Sequence, residues 1–382
     1  MLLLDRHIAI RYLTNFVLLF AILYLFAVSI DVILQLDNFS DAARDAAAKA
    51  LAVEKDAVPF VSYAIHLGHA IFDYWGPRIA QFFAYMLGLV SVGAAGFTLT
   101  QMLRTRELVA IMAAGTSLIR VAMVIIAVAT GLNLLQLVNQ ELVLPRLAPL
   151  LVRGHDDVLK GGLSEFPVPL TRDARGQLLR IRSINPMEGV AHGVLLIERD
   201  GNGAAIARVE AEVARWNPDL VRYDMDQGTR STGRTLDANG TTVSEGTTAA
   251  AAFVSTDLSP RALTIRRYAQ YAQMLSLRQL REMREEGGVD PGMLSRLTYL
   301  RLGSILVNIL VLIAAIPFFL LREPANLLRQ SILCAAFAVP GTLGSLVAMT
   351  VDLPGLPPAV SVFLPAAVLL PIAMGRLGMV KT

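Results

Sequence analysis

Residues 118–142 read LIRVAMVIIAVATGLNLLQLVNQEL, and only Arg120 and Glu141, near its two ends, are charged. An α-helix rises about 1.5 Å per residue, so a run of this length crosses the ~30 Å hydrocarbon core of a bilayer. Residues 207–213, further along, read ARVEAEV. Here apolar and charged residues alternate with a period of two, which puts one set on a core face and the other toward water. Together the two stretches set the expected fold class. It is a polytopic α-helical membrane protein with an inserted all-β domain.

Outward from residues 118–142, two more apolar runs precede it, at 12–33 and 79–100, and three follow at 302–321, 331–351 and 359–375. The expected layout is therefore three spans, a polar insert and three spans. Composition agrees, with 54% hydrophobic and 17% charged residues over 382 positions and a mean hydropathy of +0.54. Soluble domains carry about 25% charged residues. A net charge of +3 is too small to argue for nucleic acid as a partner. Cys334 is the only cysteine, so no disulfide can form within the chain. The first apolar run is too long for a signal-peptide core and is closed by no small-x-small site, so it reads as a retained helix. Gly88, Gly93 and Gly96, Pro317, and Pro340 with Gly341 interrupt spans 2, 4 and 5. Such residues let helices approach closely or bend.

Basic residues give the expected orientation. Arg6 and Arg11 precede span 1, Arg104, Arg106 and Arg120 lie between spans 2 and 3, Arg322 and Arg329 between spans 4 and 5, and Arg376 and Lys381 after span 6. These segments alternate correctly to share the cytoplasmic face, and the turn at 352–358 has no Lys or Arg. Both termini are then expected in the cytoplasm and the β domain outside it.

The polar insert is expected to hold a β-sandwich or jelly-roll-like domain over 143–275 and a connecting helix over 276–299, leading into the last three spans over 300–382. Val221, Tyr223 and Met225 alternate with Arg222, Asp224 and Asp226, and Leu179 and Ile181 with Arg180 and Arg182. Turn clusters at 200–203, 217–219 and Asn239-Gly240 separate the runs. Ser276 and Gln279 fit a capping box, and Gly287-Gly288 would end that helix. Within the first block (1–142), residues 41–75 form a helical insertion, whose 41–58 part reads as a solvated linker helix or a segment on a lipid surface.

No phosphate-binding Gly-x-x-x-x-Gly-Lys loop, zinc-protease helix or nucleophile elbow is present. His66 and His69 are three apart, but two histidines alone do not make a metal site. No catalytic set, metal site or cofactor is assigned to this chain. The positive signal is residues 104–117. Leu108, Ile111 and Met112 fall at i, i+3, i+4 and make an apolar stripe on a short helix that Arg104, Arg106 and Glu107 begin and Gly115 ends. Such a helix is either an interfacial segment lying on headgroups or a coupling helix that fits a groove on a cytoplasmic partner.

The run from Arg106 to Gly115 (Arg-Glu-Leu-x-Ala-x-x-Ala-Ala-Gly) resembles the lipopolysaccharide export permease family (LptF/LptG). So do the opening 5–12, Leu36-Asp37-Asn38-Phe39, the segment 139–146, Ser276-Leu277-Arg278-Gln279-Leu280, Ile316-Pro317-Phe318 and Leu356-Pro357-Pro358. The resemblance implies a permease subunit joined to a sister permease and to a cytoplasmic ABC ATPase dimer, which binds ATP and Mg. It implies extraction of lipopolysaccharide, or a similar glycolipid, from the inner membrane, and delivery to a periplasmic bridge of jelly-roll proteins. It places Arg104, Arg106, Glu107, Leu108, Ile111, Met112 and Gly115 at the ATPase contact, with Glu107 pairing a basic residue of that partner. It also implies lateral gates at spans 1 and 5. Asp31 and Asp37 after span 1, and Arg296 and Arg301 before span 4, are the lipid-pathway candidates. The competing expectations are a permease for another envelope lipid, and a membrane scaffold or sensor without transport.

Overall fold

The computed structural model describes residues 3–159, 165–201, 203–232, 235–236, 242–244, 246–268, 271–286, 289–320, 327–351 and 355–378. Arg322, Lys381, the Asn239-Gly240 turn, the Gly287-Gly288 stop and residues 352–354 of the 352–358 turn lie outside the described residues. The chain divides into two compact units. The first comprises Met1–Ser40, Trp75–Arg146 and Ser295–Thr382, and the second Asp41–Tyr74 and Leu147–Leu294.

The chain opens with helices α1 (Leu3–Leu34), α2 (Leu36–Leu51), α3 (Phe60–Arg104), α4 (Glu107–Ala113) and α5 (Leu118–Val138). A π turn at Asn139–Val143 carries α5 into α6 (Leu144–Leu151). Among the described residues, eight strands follow: β1 (Phe166–Arg172), β2 (Leu178–Asn185), β3 (Val190–Arg199), β4 (Ala205–Asn217), β5 (Arg222–Thr232), β6 (Thr235–Leu236), β7 (Thr242–Ser244) and β8 (Thr248–Ser255). Then come α7 (Pro260–Arg267), α8 (Tyr271–Met274), α9 (Leu277–Glu286), α10 (Pro291–Ala315), α11 (Leu327–Val339), α12 (Ser345–Thr350) and α13 (Pro358–Gly378). Among the described residues, six helical stretches are long and apolar enough to cross a membrane: Leu3–Leu34, Phe60–Arg104, Leu118–Leu151, Pro291–Phe318, Leu328–Thr350 and Pro358–Gly378.

Helix α3 is longer than the expected span at 79–100. Its 45 residues make a rod of about 67 Å at 1.5 Å per residue, twice what the hydrocarbon core needs. Only its part from Trp75 onward belongs to the first unit. There glycines set the packing. A Cβ on Gly88 would lie 2.2 Å from Asn308 Oδ1, one on Gly93 2.7 Å from Leu19, and one on Gly96 3.0 Å from the Phe319 ring. A side chain at Gly88 would run into Asn308, and one at Gly93 or Gly96 would have to move Leu19 or the Phe319 ring aside, so α3 approaches its neighbours at close range. Several polar side chains inside the unit pair with one another or with backbone carbonyls. Asn308 donates to Asn133 Oδ1 at 3.2 Å, and Asn139 donates to the Ala80 carbonyl at 2.9 Å.

The second unit is built around the sheet. Its six long strands run antiparallel in the order β1-β2-β3-β4-β5-β8, with β6-β7 as a separate hairpin. This is an up-and-down meander. The described strands form no second sheet large enough to close the sandwich that alternation suggested: short turns return each of β2 to β5 beside its predecessor, and β8 adds to β5. Leu179, Ile181, Val194, Leu196 and Val209 are buried in its core. Val213 was expected to follow Ala207, Val209 and Ala211 inward, but Ala214 takes the core place and Val213 is half-buried. The cause is backbone geometry. Gly193 at φ +64° and Gln227 at φ +50° shift the phase of the pleat midway along the strands. Val221, also expected inward, is an exposed turn residue at φ +48°. In the same unit Ala43 and Ala47 of α2 and Ala70 and Tyr74 of α3 are buried. The guanidinium of Arg153 donates to Asp73 at 3.1 Å.

Candidate functional site

Helix α3 ends at Arg104. Arg106 takes the left-handed conformation, φ 58°, and turns the chain into α4. Arg104 and Arg106 thus precede the short helix instead of forming its first turn. Gly115, at φ +76°, closes it. The Gly115 amide donates to the Met112 carbonyl at 2.9 Å and the Thr116 amide to Ile111 at 3.1 Å, the paired bonds of a Schellman stop that glycine makes cheaply. Leu108 is 1% and Ile111 8% exposed, and half-buried Met112 packs on the same core. The apolar stripe therefore faces the chain's own bundle. Arg104, Arg106, Val109, Ala110 and Ala113 form the exposed side.

Glu107 is held from within. Its Oε2 accepts from Arg11 Nη1 at 2.5 Å, its Oε1 accepts from the Thr105 hydroxyl at 2.8 Å, and His7 Nε2 lies 3.7 Å away. Partial burial works to raise the carboxyl's pKa. The hydrogen bonds from Thr105 and Arg11, with the charges of Arg11 and His7, outweigh it and hold the group below the ordinary glutamate range. Beside this pair, Arg120 Nε and Nη2 each donate to Asp5 at 3.1 Å, a two-pronged contact. Sequence reasoning used Arg11 and Arg120 only as markers of sidedness and gave Asp5 no role. The available signal was an opposite charge at the matching end of each neighbouring apolar run.

Deeper in the first unit lies an apolar cavity of about 300 Å³, lined by residues of α1, α3 and α11 that include Leu23, Gly93, Phe97, Cys334 and Ala338, and by Phe319 beyond α10. Gly93 and Gly96 leave the space, since neither carries a side chain to fill it. The only cysteine thus lines this cavity.

The four lipid-pathway candidates have separate settings. Asp31, on α1, accepts from Trp75 Nε1 at 3.0 Å, and Tyr24 donates to the Trp75 carbonyl at 2.6 Å. Asp37 is exposed in the first turn of α2, where a negative charge suits the helix dipole. Arg296 donates to the Thr350 carbonyl at 3.0 Å and so serves the open end of α12. Arg301 is turned into the bundle, 3% exposed, and forms an ion pair with Glu141 of the π turn. Among the described residues no group of three or more His, Cys, Asp or Glu is placed to hold a metal ion.

The sequence model of the family described as "Lipopolysaccharide export system permease LptF/LptG" matches residues 68–378, well over half of the chain. Helices α1 and α2 and the first turns of α3 precede the matched region. No curated protein sequence matches the chain.

Proposed function

The chain belongs to the LptF/LptG family of lipopolysaccharide export permeases, and from that premise we propose that it is the membrane subunit of an ATP-driven extractor of lipopolysaccharide or a related envelope glycolipid. It sits in the inner membrane as a multi-pass protein, with both termini cytoplasmic and the sheet periplasmic. It pairs with a sister permease and with a cytoplasmic ABC ATPase dimer, in which ATP and Mg bind. The exposed side of α4 meets the ATPase. Val109, with Arg104 and Arg106 just before the helix, is exposed there, while Leu108, Ile111 and Met112 fix the helix to the bundle. The sheet, with one apolar face, receives the lipid and hands it to a periplasmic jelly-roll bridge protein.

The observation that carries the lipid reading is the apolar cavity. Thr100 and Leu89 both line it. Along α3 they lie about 6 Å and about 22 Å from Arg104 at 1.5 Å per residue. At that depth in a bilayer the natural occupant is an acyl chain. The cavity is bounded by spans 1 and 5, the pair that the family resemblance assigns to the gates. Asp31, Asp37 and Arg296 remain candidates for headgroup contact, and Arg301 keeps α10 against α5. Purification of the tagged chain from its native membrane tests the proposal. A P-loop ATPase and a second permease should co-purify, with a phosphorylated glycolipid in the mass spectrum of the extract. A lone homo-oligomer without ATPase or lipid would favour the scaffold reading instead.

A further inference from the structure

The sheet has a polar face opposite its core, and the proposed lipid route does not use it. Register places Arg180, Leu195, Glu210 and Thr229 in one row across β2, β3, β4 and β5. Two residues further along each strand come Arg182, Gly193, Glu212 and Gln227, on the same face as period two requires. With Arg208 they line an open polar cavity of about 440 Å³. Glycine makes the room. Arg182 on β2 reaches Glu212 on β4, its Nη1 donating to Oε1 at 3.0 Å. It does so across β3, where a Cβ on Gly193 would lie 2.8 Å from the Arg182 Cβ and 3.0 Å from its Nε. Arg208 pairs with Glu210 on its own strand. Gln227 stands in the left-handed region at φ +50°, which residues with a side chain seldom adopt. The paired side chains are well exposed, and exposed ion pairs add little stability. Stability therefore does not explain why the strain at Gln227 is kept.

Charge selects the ligand. Each of the two carboxylates is already engaged by an arginine. Arg180 is exposed beside them, and among the described residues its guanidinium has no ion-pair or hydrogen-bond partner. Its donors are open to an anion, and a guanidinium meets a phosphate through two parallel bonds. Thr229 lies three strands from Arg180, about 14 Å across the sheet, a span that the arginine side chain, a phosphate and one sugar ring fill. The cavity falls within the range of small-molecule sites, roughly 300–1,000 Å³, and far exceeds the needs of a bare phosphate. We propose that it binds a phosphorylated saccharide, with the phosphate on Arg180 and the sugar hydroxyls on Gln227, Thr229 and the free oxygens of Glu210 and Glu212. The ligand comes either as the polar part of an envelope glycolipid or as a soluble sugar phosphate. The site rests on the sheet's geometry and not on the transport reading.

Titration calorimetry on the purified full chain in detergent tests the site, with glucose 6-phosphate, inorganic phosphate and glucose as probes. Glucose 6-phosphate should bind saturably, and phosphate and glucose each at least about tenfold more weakly. Arg180→Ala should weaken glucose 6-phosphate about tenfold or more, as expected for hydrogen bonds to a charged group. Its melting temperature should match the wild type, because Arg180 holds nothing else in place. Gln227→Gly should weaken binding severalfold yet raise the melting temperature, since glycine relieves the left-handed strain. Lipopolysaccharide that displaces glucose 6-phosphate, and loses that power once phosphatase has removed its phosphates, identifies the glycolipid as the source. Failure to displace identifies the soluble sugar phosphate. No saturable binding of glucose 6-phosphate overturns the proposal. So does undiminished binding in Arg180→Ala, or inorganic phosphate that binds as tightly as the sugar phosphate. Arg180-dependent binding by a chain that co-purifies with no ATPase sinks the transport reading and leaves this site standing.

Discussion

Arg301 shows what a charge within a span must do. It is almost wholly enclosed and paired with Glu141, because an unpaired charge there would cost far more than the pair does. Replacing Arg301 by Met should therefore destabilise the fold by about 3–5 kcal/mol, and changing Glu141 to Met as well should recover much of that. Thermal unfolding in detergent reads both variants. Glu107 gives a pH prediction. Its pKa is depressed in the folded protein, so its contribution is present above the ordinary glutamate range and is lost as pH falls through the depressed value. The stability difference between wild type and Glu107→Gln should stay flat from neutral pH down to that range and vanish in stronger acid. These partners were not legible in the sequence. Arg11 and Glu107 are far apart in the chain, and no local period connects them.

Among the elements, α9 was the most legible. Ser276 and Gln279 satisfy each other's backbone amides at 3.2 and 3.0 Å, the reciprocal bonds that the residue spacing implied. The stop at Gly115 was equally readable, since a left-handed residue there favours glycine. The facing of α4 was not. Periodicity marks an apolar stripe without saying whether partner or bundle covers it, and the bundle covers Leu108 and Ile111. The pleat shift in the sheet was hidden for a related reason. Strict alternation from 207 to 213 gives no sign of a neighbouring strand's Gly193 at positive φ. From the facing of α4, Val109→Glu and Ala113→Glu should abolish ATPase co-purification and leave the chain folded. Leu108→Glu should lower stability by about 2–5 kcal/mol, as for a charge forced into a core. Pull-down and thermal melting together separate the two outcomes.

At the scale of the molecule, the six apolar helices and the antiparallel sheet between them were legible from period and run length. The meander order was not, because alternation specifies a face and leaves pairing to the turns. Nor was the full length of α3. Residues 60–75 mix aromatic, polar and apolar side chains, which blurs the boundary between span and extension. The proposed orientation has a direct check in a Cys334→Ala background. Gly201→Cys, in the β3–β4 turn, should react with a membrane-impermeant maleimide in intact spheroplasts. Arg106→Cys should react only after lysis, and the reverse pattern would invert the topology.

The measurement closest to the central claim is ATP-dependent lipid release. The chain is reconstituted in liposomes with its sister permease and ATPase, loaded with lipopolysaccharide, and offered a soluble jelly-roll acceptor. The account expects the acceptor to gain lipid only with ATP and Mg, and filling the cavity by Gly93→Leu to slow the transfer at least about tenfold. Transfer that ignores ATP, or that proceeds at the wild-type rate with the cavity filled, would contradict it.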